Sequence, residues 1–144
     1  MGFSRFESGG ATCCIFNRNS FIGAIMEKLI KKIKEDVEMS ERSVSECQRL
    51  YCVLTDWVDK YVSTQNDDCL YQARKILHRM AEFSVRSEAA VTSAASYFTT
   101  YRFCYSPELY DKAFKELVAA REAFQDVDGW LVEATRYLDE RVKA

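Results

Sequence analysis

The chain has 144 residues, 48% of them hydrophobic, and carries nine Phe, eight Tyr and two Trp. That is enough apolar material for one domain with its own core, and it excludes a disordered or fibrous chain. Net charge is −2 with acids and bases interspersed. Nucleic acid is therefore not an expected partner, because neutralising phosphates calls for a basic excess.

One proline and five glycines are few for a chain of this length. Gly2, Gly9 and Gly10 lie at the very start, so the rest has little strand-and-turn punctuation and an all-α fold is expected. No run approaches the roughly eighteen apolar residues of a spanning helix, and the N-terminus lacks the apolar stretch of a secretory signal. The expected location is the cytoplasm, with any membrane contact peripheral.

Residues 1–19, beginning "MGFSRFESGGATCCIFN", show no periodicity and are expected to form a flexible tail ahead of a helical-bundle domain at 20–144. Ser20 is a suitable N-cap. Ile22, Ile25, Met26, Leu29, Ile30, Ile33 and Val37 then recur at steps of three and four, one apolar stripe on a helix. Val44, Cys47, Tyr51, Leu54, Val58 and Tyr61 continue in the same register, which favours one helix of about forty-five residues, about 67 Å at about 1.5 Å per residue. Local chemistry opposes this. Ser43-Val-Ser-Glu46 is a capping box with Met39 at the staple position, and serines at 40, 43 and 45 prefer local hydrogen bonds to a helix interior. A break is expected there, with the unbroken helix as the alternative.

"STQNDD" (63–68) is a turn, with Asp67 or Asp68 capping the next helix. Leu70, Ala73, Leu77, Met80, Val91, Ala94, Phe98 and Tyr101 keep the helical period through a stretch of small residues at 84–96, where large side chains such as Phe124 or Trp130 could enter. In "CYSPELY", Ser106 is a cap, Pro107 takes the first helical position and Glu108 suits the helix dipole. Leu109, Ala113, Leu117, Ala120 and Phe124 carry that helix to "QDVDGW", where Asp126 or Asp128 could cap and Gly129 is a weak point. Trp130, Leu131, Ala134, Leu138 and Val142 form the last stripe. The expected architecture is an up-and-down antiparallel four-helix bundle with a C-terminal extension helix, the alternative a long three-helix bundle.

Of the six cysteines, Cys47, Cys52, Cys69 and Cys104 fall within helical patterns. Antiparallel packing about Asn66 sets Cys52 about 18 Å along the axis from Cys69 at about 1.5 Å per residue, well beyond the roughly 7 Å a disulfide spans. Reduced thiols are expected, and no Cys-x-x-Cys points to zinc. His78 is the only histidine and reads as a surface residue. Glu35/Asp36 and Asp139/Glu140 are neighbours in sequence that point to different sides of a helix, so both pairs read as solvated. With no phosphate-binding loop and no nucleophile–base set, neither an enzyme nor a cofactor is expected.

Two features suggest binding. Lys28, Lys31, Lys32 and Lys34 flank the first apolar stripe, and Cys13 and Cys14 just before it are adjacent thiols suited to acylation. Against this, Glu27, Glu35, Asp36 and Glu38 dilute the charge, and Phe6 departs from the myristoylation pattern. The aromatic run "YFTTYRFCY" places Tyr97, Tyr101, Phe103 and Tyr105 beside Phe98, more rings than one helix face can bury. It forms either a core plug at one bundle end or an exposed patch for a partner.

The segment "SVSECQRLYCVLTDWVDKYV", with Cys47, Leu50, Leu54 and Val58, and the later "RFCYSPELYDKAFKELVAAREAF" resemble the second and final helices of HeLo-type domains, the family that includes the N-terminal bundle of mixed lineage kinase domain-like pseudokinases. The resemblance spans about 20–142 and makes the C-terminal extension similar to the brace that follows such bundles. It implies a domain that oligomerises and disturbs membranes, or an adaptor for other helical domains. The expected function is thus a non-enzymatic, oligomerising bundle that engages an anionic membrane through Cys13, Cys14 and the four lysines. The alternative is a soluble adaptor that binds a partner protein helix at Tyr97, Tyr101, Phe103 and Tyr105.

Overall fold

The computed structural model describes residues 9–101 and 106–142, with side chains from Ile22 onward. Its elements are α1 (Gly9–Thr64), α2 (Asp67–Thr100) and α3 (Pro107–Val142), packed pairwise as an up-down-up bundle. The fold is all-α, but with three long helices in place of the expected four and an extension. α1 begins at Gly9, inside the segment expected to be a tail, so Ser20 lies within the helix and not at its start.

Both expected breaks are absent. Ser43 is buried and donates its hydroxyl to the Met39 carbonyl at 3.0 Å, one turn back in the same helix. Glu46, the other half of the capping box, is paired with Arg49. A box is used where a helix end meets water, and here Ser43 faces the core, as does Ser40 one turn before it. At 126–129, Gly129 is exposed within a continuous α3, and a Cβ built there would meet nothing within 4 Å.

The expected punctuation holds at the two connections. Gln65, at φ 57°, ends α1 with its N–H on the Tyr61 carbonyl (2.7 Å). Asn66, not Asp67 or Asp68, is the cap of α2: its Oδ1 accepts from the Asp68 N–H at 2.9 Å. The two aspartates occupy the first turn, where the helix dipole favours them. Ser106 opens α3, its Oγ accepting the Leu109 N–H at 3.2 Å, with Pro107 as the first helical residue.

The core has two apolar clusters. One, towards the α1–α2 turn, is built on Cys47, Leu50, Leu54, Val58, Met80, Val127 and Leu138. The other, towards the α2–α3 connection, holds Ile30, Ile33, Ala94, Phe98, Ala113 and Leu117. Between them lies a waist of small buried residues: Ser40 and Ser43 on α1, Ser87 and Ala90 on α2, Ala120 and Ala123 on α3. The small stretch at 84–96 thus meets other small side chains. Trp130 packs elsewhere, its ring 5.2 Å from that of Tyr51 on α1.

The helices differ in length. At about 1.5 Å per residue the 56 residues of α1 extend about 84 Å, against about 51 Å for the 34 of α2 and about 54 Å for the 36 of α3. The short turn aligns the end of α1 with the start of α2, so the first part of α1 runs on past the other end, while the helix stays packed as far as Met26.

Replacing Gly129 by alanine should stabilise the protein by about 1 kcal/mol, since it removes the conformational freedom of a mid-helix glycine without a clash. Urea denaturation monitored by circular dichroism would measure the gain; a loss would mean that α3 depends on bending there.

Candidate interaction surfaces

Chemistry-bearing residues are dispersed. His78 is exposed, with Nε2 3.9 Å from Glu82 one turn on. No His, Cys, Asp and Glu side chains gather into a metal-binding group among the described residues. Cys47, Cys52 and Cys69 are free thiols, as expected from their separation. Burial, helped by the Glu46 charge, pushes the Cys47 thiol up to about 11, leaving it protonated and unreactive at neutral pH.

The four lysines of α1 are exposed, but the stripe between them is not a free surface. Met26, Ile30, Ile33 and Val37 are buried, and Ile30 and Ile33 pack with residues of α2 and α3. Those four side chains are therefore covered while the bundle is folded, whereas Ile22, Ile25 and Leu29 of the same stripe are half-buried. The stripe is the inner face of α1, where that helix packs on both α2 and α3. Lys32 lies 3.7 Å from Asp36, while Lys31 and Lys34 line the α1–α3 groove with Lys112. Cys13 and Cys14 fall on the projecting part of α1, whose side chains lie outside the described residues. No described helix is long and apolar enough to cross a membrane.

Asp36 corrects the expectation of a solvated pair with Glu35: it is buried, and its Oδ2 makes no hydrogen bond. The hydroxyls of Ser40 and Ser87 are likewise buried without a partner. Burial raises the Asp36 carboxyl above its ordinary range, partly offset by the neighbouring Lys32 and Ser93. On the α1–α3 seam, the Tyr137 hydroxyl donates to Asp59 at 2.7 Å, and the Arg141 guanidinium lies 3.5 Å from the Tyr137 ring centre.

The aromatic run divides. Phe98 is buried, Tyr97 half-buried against the second cluster, and Tyr101 exposed at the C-cap of α2. Phe103 and Tyr105 lie outside the described residues. Two further rings, on α3, complete the group. Tyr110 and Phe114, one turn apart on α3, are stacked with centroids 6.4 Å apart and planes within 4°. Both lean on Phe98, at 5.0 and 6.0 Å. They are nevertheless 40% and 47% exposed. The available signal was their place off the stripe of Leu109, Ala113 and Leu117: large apolar residues outside the buried stripe of a helix have no core to enter.

Compared with known protein families, with curated proteins and with solved structures, the chain matches none.

Because folding raises the Asp36 pKa above 3.8, the folded chain holds this proton more tightly than the unfolded one. Its stabilising effect is complete below about pH 4 and is lost as pH rises through the raised folded pKa. Asp36→Asn should flatten the fall in melting temperature between about pH 4 and 7; parallel profiles for the two proteins would show that Asp36 does not drive it.

Proposed function

We propose that the chain is a non-enzymatic helical interaction module that receives an amphipathic helix of a partner protein at its aromatic end. The observation that carries this reading is the stacked Tyr110–Phe114 pair, held on buried Phe98 yet about half open to solvent. Such rings lose little conformational freedom on binding, because the protein already holds them in place. Aromatic anchors of this kind dominate binding energy at interfaces. Tyr101 and half-buried Val118 extend the apolar surface along and beyond the pair, which suits the spaced side chains of a docked helix. The likeness to HeLo-type adaptors fits the same reading.

One observation favours a second reading, membrane anchoring. α1 outruns α2 and α3 at this same end, and Cys13 and Cys14 stand on the projecting part. Acyl chains on those thiols would tether the module without opening the bundle, since the lipid-facing groups would then be the chains themselves.

Phe114→Ser should weaken binding of a purified partner, first identified by affinity capture, about tenfold or more, which is ~1.4 kcal/mol. The melting temperature should change little, because this ring is half outside the core. A partner that binds wild type and variant alike would place the docking surface elsewhere. For the second reading, cell fractionation of the Cys13→Ser/Cys14→Ser double variant should move the chain from membrane to supernatant. An unchanged distribution would remove acylation as the anchor.

A further inference from the structure

The groove between α1 and α3, on the side of α3 away from Tyr110 and Phe114, carries two opposite charges in sequence. Its part towards the projecting end of α1, about 310 Å³, is lined by Lys31, Lys34 and Lys112, with Glu27 as the one acid. The adjoining part at the waist, about 280 Å³, is lined by Glu41, Glu122 and Asp126, with no base. None of these seven side chains forms an ion pair among the described residues. The floor is apolar and, at the acidic part, shallow-sided: Ile30 and Leu109 in one, Val44, Ala119 and Ala123 in the other.

We infer that this groove is the contact face of an antiparallel homodimer. A face with one positive and one negative patch is its own complement under a two-fold axis that lies in the plane of the contact, runs across the helices and passes midway between the patches. Here the axis crosses the groove level with residue 37 of α1 and residue 118 of α3, whose own side chains do not line it. It sets Lys31, Lys34 and Lys112 of each chain against Glu41, Glu122 and Asp126 of the other, with the patches about 15 Å apart along the helices at ~1.5 Å per residue. Small Ala119 and Ala123 let the two copies approach. A uniformly anionic surface such as a membrane would meet the basic half but be repelled by the acidic half. A second copy satisfies both.

The size of the face sets the strength. About 30 Å long and two helices wide, it presents on the order of 600 Å², below the roughly 800 Å² per partner of stable complexes. The dimer is therefore weak and driven by charge, and salt screens it over a Debye length of about 10 Å at 0.1 M. This inference does not depend on the aromatic-end reading.

The test is sedimentation of the full chain at low and high salt, with charge-swapped variants checked for helicity. Wild type should dimerise at low ionic strength and dissociate at least tenfold more readily at about 0.5 M salt. Lys31→Glu/Lys34→Glu alone and Glu122→Lys/Asp126→Lys alone should each be monomeric, since each faces like charges across the axis twice. An equimolar mixture of the two should restore the dimer, and Phe114→Ser should leave it unaltered. A wild type that stays monomeric at low salt, a dimer that survives either swap, or a mixture that fails to pair would each overturn the proposal. A monomer whose binding to anionic vesicles is lost with Lys31→Glu/Lys34→Glu would assign the basic half to lipid instead.

Discussion

The burial of Ser40 and Ser43 against α2 and α3 is the constraint on which the architecture depends. A helix end at Ser43 would gain a capping box, and a cap contributes about 0.5–2 kcal/mol. It would also release up to four backbone N–H groups from their helical partners, each costing about 1–3 kcal/mol if left buried and unpaired. Inside the bundle the second effect is larger, so α1 continues. Ser43 then satisfies its hydroxyl on the Met39 carbonyl, while the hydroxyls of Ser40 and Ser87 stay unpaired. The waist is thus a place where continuity of the backbone outweighs the hydrogen bonding of individual side chains.

From that continuity the other features follow. An unbroken α1 is longer than either neighbour, so one end of it projects, and both functional hints gather at that end. The waist separates two apolar clusters of different character. The cluster towards the α1–α2 turn is locked to α3 by Tyr51, Trp130, Tyr137 and Asp59, each reaching across the seam. The cluster towards the α2–α3 connection is smaller and finishes in the partly exposed rings around Phe98. Tied across the helices at one end and carrying partly exposed rings at the other, the bundle is asymmetric along its length.

The surfaces divide along the faces of α3. Tyr110 and Phe114 look towards α2, whereas Lys112, Ala119, Glu122 and Asp126 lie on the α1 side. A helix with two neighbours has two such outer grooves, and a three-helix bundle leaves both accessible. One groove is aromatic, and the other is charged and nearly self-complementary. They use different physics: apolar burial, little affected by salt, and ion pairing, strongly affected by it. A partner helix and a second copy of the chain could therefore occupy them independently.

The sequence alone was enough to determine the all-helical class, the turn at Asn66, the start of α3 at Ser106–Pro107, and the separation that keeps Cys52 and Cys69 reduced. These depend on residues close in the chain or on simple helical rise, so their physics is local. What only the tertiary structure decided was whether capping and glycine signals inside a stripe end a helix. Ser43 and Gly129 look alike as punctuation, yet one is carried through by burial and the other by the packing of Val127, Ala134 and Leu138 on either side. The same holds for Asp36, which periodicity left beside Glu35 at the surface, and for Tyr110 and Phe114, whose contact with Phe98 joins two helices. Burial and cross-helix contact are properties of the assembled bundle, and no single segment contains them.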